Sequence, residues 1–176
     1  MNVSQWITQE LIARGVSHVF TLQGGYSQFI NDAVGHSALK PVYMLTEAGA
    51  AYAAAGWAQY TGQMGVLCVT SGLAQTNALS GVASAYSDFL PMFVISGDIR
   101  SGLIIKRDTE GLRQGGQQDV PILKIAAPIT KSVRIIGYSR RAPKVFSESW
   151  RLAMKEPRGP VWIDIPINIQ QEAMPE

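Results

Sequence analysis

The strongest constraint on the fold of this chain is an alternation of short apolar runs with longer segments of helical spacing. Runs typical of buried strands lie at residues 19–22, 42–45, 65–70, 92–96, 129–135 and 161–165. Helical spacing occurs at residues 3–14, 29–34, 47–62, 76–87, 119–126 and 141–155. Strands that alternate with helices are joined by right-handed crossovers, so the sheet is mainly parallel and covered on both faces. The sequence therefore predicts an α/β domain with three layers, α/β/α.

Residues 97–118 interrupt this alternation. Gly102, Gly111, Gly115 and Gly116 lie there among charges of both signs, and no apolar period is visible. Long irregular loops in compact domains are usually functional or disordered. We therefore predict a loop in this segment. Since no repeat or linker divides the chain, we expect one domain at residues 1–170 and a polar tail at residues 171–176.

The composition excludes several classes of function. Hydrophobic residues make up 47% of the 176 residues and charged residues only 16%, so we expect another subunit to cover part of the surface. The net charge is +2 without a run of Lys or Arg, which gives no nucleic-acid surface. No apolar stretch reaches the length of about 18 residues that a membrane span needs. The lone Cys68 builds no disulfide framework, so we expect a cytoplasmic protein.

An isolated carboxylate, Glu47, follows an apolar run and opens a helix rich in alanine and glycine. Open α/β sheets bind their ligands at the carboxyl ends of the strands, so an acid at this position is a candidate for chemistry. The alternative is structural, because acidic side chains are favoured in the first turn of any helix. Residue type alone favours the structural interpretation, and the motifs around Glu47 favour the chemical one.

These motifs occur in a fixed order along the chain. They are TE at 46–47, GWAQ at 56–59, TSGLAQTN at 70–77, AYSDFLP at 85–91, VISG at 94–97, QQDV at 117–120, ITK at 129–131 and RGPVWIDIP at 158–166. The ordered set resembles the N-terminal, pyrimidine-binding domain of thiamine diphosphate enzymes, in the branch of acetolactate synthase, benzoylformate decarboxylase and pyruvate oxidase. The resemblance covers almost the whole chain and implies the fold of that domain.

The resemblance also implies a role for Glu47. In this family a glutamate hydrogen-bonds N1′ of the aminopyrimidine of thiamine diphosphate and favours its imino tautomer, which takes the proton from C2 of the thiazolium ring. The cofactor carries the electron-sink chemistry, and the protein supplies orientation and this proton relay. We therefore predict that Glu47 is the catalytic residue and a cofactor ligand.

Other positions are weaker candidates for cofactor binding. Gly24 and Gly25 follow a strand, where they either let the backbone approach the cofactor or make a tight turn. The loop that lies beside the pyrimidine in the family is represented here by Ser71, Gly72, Gln75 and Asn77. Polar residues at the start of a helix are equally expected as caps, so both interpretations stay open at this point.

Several positions depart from the family's pattern. Thr46 replaces the usual histidine, Gln23 replaces a common proline, and residues 73–74 replace a Pro-Gly pair. Gln117 stands where a phenylalanine usually faces the substrate. With Gln23 and Gln118 it makes up the candidates for substrate contact, for which a solvated loop is the alternative. These departures leave the acid intact but do not identify the substrate.

The chain lacks candidate ligands for the diphosphate end of the cofactor. Enzymes of this family bind it, with the metal, through a Gly-Asp-Gly motif and a later Asn, and no Gly-Asp-Gly occurs here. Mg²⁺ requires oxygen ligands beside the phosphates. We therefore predict that Mg²⁺ is held by a separate diphosphate-binding subunit in an α2β2 assembly, and that this chain has no metal ligand. The alternative is that the 176 residues are part of a longer chain.

Two further expectations concern that assembly. Ala50, Ala54 and Ala58 have helical spacing and allow a helix to approach closely, either across the subunit interface or inside the chain. FAD is not expected, because the flavin of some relatives binds chiefly through a middle domain.

The resemblance implies a reaction in which a 2-oxo acid is decarboxylated and the carbanion is transferred to an acceptor. One alternative is a subunit of a simple two-subunit decarboxylase of the sulfopyruvate or phosphonopyruvate type. Another is a non-catalytic regulatory paralogue. The presence of Glu47 opposes the last alternative, and the loss of the preceding histidine favours it mildly.

Overall fold

Six strands pair in parallel to form one sheet in the computed structural model, which describes residues 1–175. They are β1 (His18–Thr21), β2 (Lys40–Tyr43), β3 (Gly65–Val69), β4 (Met92–Asp98), β5 (Ser132–Ile135) and β6 (Val161–Pro166). Their order across the sheet is β2-β1-β3-β4-β6-β5. The register places Phe20 beside Leu67 and Val94 beside Trp162. The prediction of a mainly parallel sheet is confirmed.

Helices connect or flank these strands. They are α1 (Val3–Ala13), α2 (Gln28–Gly35), α3 (Glu47–Thr61), α4 (Leu73–Ser87), α5 (Ser101–Glu110), α6 (Ile122–Ala126), α7 (Ala142–Met154) and α8 (Ile167–Gln170). Short 3₁₀ turns occupy Gly25–Ser27, Ala127–Ile129 and Ser139–Arg141.

Alternate side chains of the strands face two separate cores. On β3, Val66 and Cys68 belong to the core beneath α1, α2 and α7, whereas Leu67 and Val69 belong to the core beneath α3, α4 and α6. A strand imposes this period of two because successive side chains point to opposite faces. Two helical layers therefore enclose the sheet, and the three-layer prediction is confirmed.

The thiol of Cys68 is fully buried in the first of these cores. Burial raises the pKa of this thiol to about 12, and its hydrogen bond with Thr21 lowers the pKa only in part. Cys68 therefore acts as a small core residue, as its apolar surroundings in the sequence indicate.

The second strand lies two residues earlier than predicted. β2 pairs with β1 over Lys40–Tyr43 and leaves Leu45 98% exposed. Because β2 is an edge strand, its side chains are half-buried or exposed. The apolar residues at 44–45 therefore marked the loop that leads to Glu47 rather than the strand itself.

The prediction of a loop over residues 97–118 is wrong in its first half, because α5 lies there. Only Ile104 and Arg107 of this helix are buried, so it lacks the apolar stripe that identifies a helix in a sequence. The helix ends at Gly111, whose φ of 66° is the left-handed conformation common after helices.

Smaller differences concern element boundaries. The run 129–135 begins with the last residue of a 3₁₀ turn, and β5 starts only at Ser132. α6 begins at Ile122 rather than at 119, and α4 begins at Leu73 rather than at 76. The four-residue α8 was not predicted, because it is too short to show a helical period.

The last described residues pack against the start of the chain. Asn2 and Ala173 form an isolated antiparallel bridge, and the Val3 N–H donates to the Glu172 carbonyl at 3.0 Å. The Glu172 carboxylate accepts a hydrogen bond from the Ser139 hydroxyl at 2.9 Å. Glu176 of the predicted tail lies outside the described residues, and the division at residue 170 stays a prediction.

The alanines of α3 face inward. Ala50 and Ala54 are completely buried, and Ala58 is nearly so. A Cβ atom at Gly65, where β3 starts, would lie 2.1 Å from the Ala54 carbonyl oxygen, so α3 lies directly on the sheet. Of the two interpretations of these alanines, internal packing is correct, and they are not exposed to a partner.

Helices α3 and α4 touch each other through their backbones. A Cβ atom at Gly81 on α4 would lie 2.5 Å from the Cβ atom of Ala51 and 2.7 Å from the Tyr52 backbone nitrogen. Only glycine permits so close an approach. This contact fixes how the first turns of α4 lie against the start of α3.

The helix contact generates a stability prediction. We expect Gly81→Ala to lower the free energy of unfolding by about 2–3 kcal/mol, because the added methyl group overpacks the contact. The control is Gly56→Ala on the exposed side of α3, where a Cβ atom meets nothing within 4 Å. That change should stabilise the protein by up to about 1 kcal/mol, since alanine has the higher helix propensity. Urea unfolding followed by circular dichroism compares them, and equal effects would contradict the proposed contact.

Candidate active site

The loops at the carboxyl ends of β1 and β3 meet at the edge of the sheet. The chain turns from β1 to β2 on one side and then to β3 on the other, so the crevice between β1 and β3 is the switch point where such folds bind ligands. A Cβ atom at Gly24 would lie 2.3 Å from the Thr70 Cβ atom, and the Tyr26 N–H donates to the Thr70 hydroxyl at 3.0 Å. Gly25 has open space around it. Gly24 therefore serves the close packing of the two loops.

Glu47 is the first residue of α3 and is half-buried. Thr46 caps the helix, with its hydroxyl oxygen accepting a hydrogen bond from the Gly49 N–H at 3.0 Å. Glu47 is therefore not needed as the cap. The positive end of the helix dipole still favours acidic side chains in this turn, so the cap alone does not decide between the two interpretations of Glu47.

A single side chain holds the Glu47 carboxylate. Asn77 Nδ2, on the second turn of α4, donates to Glu47 Oε2 at 2.6 Å. Glu47 Oε1 makes no hydrogen bond to any of residues 1–175. One oxygen is thus oriented by a neutral amide, and the other is free to meet a ligand.

Ser71, Gly72 and Gln75 are all buried beside this pair. Gln75 Oε1 accepts from the Gly72 N–H at 2.8 Å, and Gln75 Nε2 donates to the Gly97 carbonyl at 3.3 Å and to Asp164 Oδ1 at 3.0 Å. The Ser71 hydroxyl has no hydrogen-bond partner within the described chain. Gln75 therefore acts inside the protein, where it holds the turn before α4.

The predicted substrate loop lies on that turn. A Cβ atom at Gly72 would lie 1.3 Å from the Gln118 carbonyl oxygen, so the two backbones are in contact. Gln118 has a φ of 57°, which is unusual for a residue other than glycine, and its side chain is exposed. Gln117 is also exposed. The structure therefore brings Gln118 next to Gly72, whereas Gln23 lies in a cleft beside α2.

A buried ion pair, which sequence reasoning missed, anchors this loop. Arg107 of α5 bonds to the Asp119 carboxylate, whose Oδ2 atom also accepts from the Gly115 N–H at 2.9 Å. The side chain of Asp119 is fully buried and that of Arg107 is 7% exposed. Buried charges of this kind need their partners, so the pair fixes the loop that carries Gln118. Opposite charges twelve residues apart gave no signal, because Arg107 lay in the predicted loop and Asp119 at the start of the next predicted helix.

Two further buried carboxyl groups were missed as well. Asp98, at the end of β4, and Asp164, on β6, are 2% and 1% exposed, and they lie two positions apart on the same face of these paired strands. Burial raises the pKa of both groups, and that of Asp164 lies well above its usual value because the neighbouring Asp98 adds to the effect. In the sequence the two acids lie inside apolar runs, and that placement was the available signal.

Gln23, Gly24 and Gly25 line an open cleft of about 610 Å³. The other lining residues belong to α2 and its ends and to the end of β2: Gln28, Asn31, Asp32, Gly35, His36 and Tyr43. Glu47 is not among them. The candidate residues therefore fall into two groups, one at this cleft and one at the starts of α3 and α4.

Two kinds of feature are absent from residues 1–175. No group of three or more His, Cys, Asp or Glu side chains is arranged to hold a metal ion in this part of the chain. None of its helices is both long and apolar enough to cross a membrane.

Comparison with known proteins identifies the family of this chain. Residues 1–123 match the family model described as "Thiamine pyrophosphate enzyme, N-terminal TPP binding domain". The chain is 33% identical over 170 residues to the acetolactate synthase isozyme 2 large subunit of Escherichia coli K12, covering 97% of this chain and 30% of that protein. It is 35% identical over 159 residues to chloroplastic acetolactate synthase 1 of Oryza sativa subsp. japonica, covering 90% of this chain and 23% of that protein.

The chain thus spans less than a third of the length of these relatives. The matched part is the beginning of the family's architecture, and the motifs around Glu47 lie within it. The chain therefore belongs to the thiamine pyrophosphate enzyme family and carries its N-terminal, pyrimidine-binding domain.

Proposed function

We propose that this chain supplies the pyrimidine side of the active site of an acetolactate synthase-like enzyme that depends on thiamine diphosphate. The enzyme decarboxylates a 2-oxo acid and transfers the resulting carbanion to an acceptor. The observation that carries the proposal is the Glu47 carboxylate, which is held by Asn77 through one oxygen and leaves the other without a protein partner in residues 1–175. The similarity to acetolactate synthase large subunits supports the reaction class.

The residues around Glu47 fit an aminopyrimidine ring. The carboxylate is half-buried and lies at a helix start among small side chains, of which Ala50 and Ala51 are fully buried. A ring nitrogen could approach Oε1 without displacing a protein hydrogen bond. The neutral amide of Asn77 orients the carboxylate but adds no charge that would compete with its proton transfer.

Glu47 would act by holding a proton at one ring nitrogen. When bound, thiamine diphosphate supplies a nucleophilic carbon and an electron sink for decarboxylation. A hydrogen bond accepted by the Glu47 carboxylate from that nitrogen would stabilise the tautomer of the pyrimidine that is needed for that chemistry. Asn77 keeps the carboxylate in place, and the contact of α3 with α4 keeps Asn77 in place.

Thr46 contributes structure rather than acid–base chemistry. Its hydroxyl caps α3 and its side chain has no group that titrates near neutral pH. A proton that the reaction needs at this point must therefore come from elsewhere in the assembled enzyme.

Exposed apolar side chains near Glu47 support a partner that covers this face. Leu45 is 98% exposed, Leu73 is 61% exposed, and Tyr52 is 51% exposed. Large exposed apolar patches mark interaction sites. We propose that the diphosphate-binding partner packs here and holds Mg²⁺, either as a separate subunit in an α2β2 assembly or as a later part of a longer chain.

The first test removes the charge of the acid. We expect Glu47→Gln to lower kcat by a factor on the order of 100 or more in the assembled enzyme, because an amide cannot hold the proton at the ring nitrogen. Assembly and thermal stability should change little. The control is Glu110→Gln at the exposed end of α5. Full activity of the Glu47 variant would end the proposal.

The second test changes the residue that orients the acid. Asn77→Ala should lower kcat/KM about tenfold, because it removes one hydrogen bond to a charged group, worth about 1.5 kcal/mol. Asn77→Asp should lower it further, since a second carboxylate would repel Glu47 at the 2.6 Å position of the present bond. Steady-state kinetics at pH 7 gives the order, and an aspartate variant more active than the alanine variant would contradict this role.

The third test concerns the partner. We expect the 176-residue chain alone to bind thiamine diphosphate and Mg²⁺ by a factor on the order of 100 more weakly than the assembly, about 3 kcal/mol, because it lacks ligands for the diphosphate. Titration calorimetry measures both affinities. Native mass spectrometry of the protein from its own cells separates a two-subunit assembly from a longer chain, and tight binding to the isolated chain would overturn the proposed division of the site.

A further inference from the structure

A cluster of buried polar side chains lies directly beneath the Gly72 turn. Asp164 accepts hydrogen bonds from Gln75 Nε2 at 3.0 Å and from the Ser96 hydroxyl at 2.5 Å. The Ser96 hydroxyl in turn accepts from Trp162 Nε1 at 2.8 Å. Asp98 accepts from the Ile99 N–H at 2.7 Å and lies on the same face of the sheet as Ser96, whose register partner on β6 is Asp164. Most polar groups in this cluster have a hydrogen-bond partner, so the positions of their side chains are well defined.

The two carboxyl groups retain one proton between them. Two ionised carboxylates at neighbouring buried positions would repel each other, and burial penalises each charge further. The charged groups that face the pair from the surrounding elements are Arg107 on α5 and Asp119 before α6. Arg107 is already paired with Asp119 and Asp108, so it offsets a second negative charge on the pair only in part.

The cluster is connected to the candidate active site by hydrogen bonds. Gln75 holds Asp164 with its amide nitrogen and the Gly72 N–H with its carbonyl oxygen. Gly72 touches the Gln118 backbone and precedes α4, whose second turn carries Asn77. A change in the cluster would therefore reach Gln118 and Asn77 through a single side chain.

We propose that Asp98 and Asp164, with one proton between them, are positioning residues of the active site. Asp164 fixes Gln75, Gln75 fixes the Gly72 turn, and this turn sets the places of Gln118 and of the first turns of α4. The importance of the pair for the reaction rests on the proposed function, whereas the hydrogen-bond chain itself does not. As positioning residues, neither acid touches substrate or cofactor.

The shared proton gives the proposal a pH dependence. In the unfolded chain both acids ionise near pH 4. Burial raises the pKa of Asp164 well above that range, so folding takes up a proton at higher pH. The stability that this proton confers is fully present below about pH 4 and is lost as the pH rises through the pKa of the folded pair. Over that range the equilibrium constant for folding falls by up to about tenfold per pH unit. Above that pKa the two charges repel each other and the hold on Gln75 weakens.

The test follows amide signals of the 176-residue chain by ¹H–¹⁵N NMR from pH 5 to alkaline pH. We expect the Gly72 N–H and the Gln75 side-chain amide to move together with one inflection well above pH 4. Asp98→Asn should move the inflection to lower pH, because the charge of Asp98 no longer opposes ionisation of Asp164 while the burial of Asp164 remains. Asp164→Ala should speed hydrogen exchange of the Gly72 N–H at least tenfold, and Asp164→Asn should restore slow exchange.

Several outcomes would overturn the proposal. They are an inflection at the ordinary pH of an aspartate, an inflection that Asp98→Asn leaves at the same pH, and a Gly72 exchange rate that is unchanged in Asp164→Ala. If Asp164→Ala does not fold, the titration of the wild type and of Asp98→Asn still decides. Glu110→Gln serves as the control for removal of an exposed acid.

A second measurement separates this proposal from the proposed function. The pH profile of kcat/KM of the assembled enzyme should fall on its alkaline side with the same inflection, and Asp98→Asn should shift or remove that limb. If Asp98→Asn leaves the alkaline limb of the profile unchanged, the pair has no role in the reaction. Failure of the proposed function itself would appear instead as full activity of Glu47→Gln, whatever the NMR titration shows.

Discussion

The contact between α3 and α4 at Gly81 is the constraint on which the candidate site depends. Glu47 begins one helix and Asn77 lies on the other, so their 2.6 Å hydrogen bond requires the two axes to stay at a fixed distance. Alanines on the inner side of α3 let that helix lie on β3, and Gly81 lets α4 lie on α3. The small side chains of this region are therefore the means by which an acid and an amide from separate segments are brought together.

The sequence predicted the architecture well, because the strands of a parallel sheet are buried on both faces and read as apolar runs. Glu47 was selected as a candidate because it follows the apolar run 42–45, although residues 44–45 of that run belong to the loop before α3. α5 was missed because its buried residues are Ile104 and Arg107 alone, which form no stripe. The polar pairs were missed because Asp164 and Gln75 are 89 residues apart, and no local pattern reports a contact at that separation.

Glu47, Asp98 and Asp164 fall into two kinds by their surroundings. Glu47 is half-buried and has one oxygen without a protein partner in residues 1–175, so it is suited to meet a ligand. Asp98 and Asp164 are enclosed, so they are suited to hold other residues in place. The Gly72 turn connects the two kinds, since it is fixed from below by Gln75 and leads into the helix that carries Asn77. Residue type alone does not separate such roles, whereas burial and hydrogen-bond partners do.

The burial of Cys68 has a practical consequence. Thiolates rather than thiols react with alkylating reagents, and a buried thiol with a pKa of about 12 is almost entirely protonated and shielded at neutral pH. The sequence contains no other cysteine. A cysteine introduced at Tyr60, which is 93% exposed on α3, would therefore accept a fluorescent label selectively in the folded protein, and would allow the approach of a partner to this helix to be followed in solution.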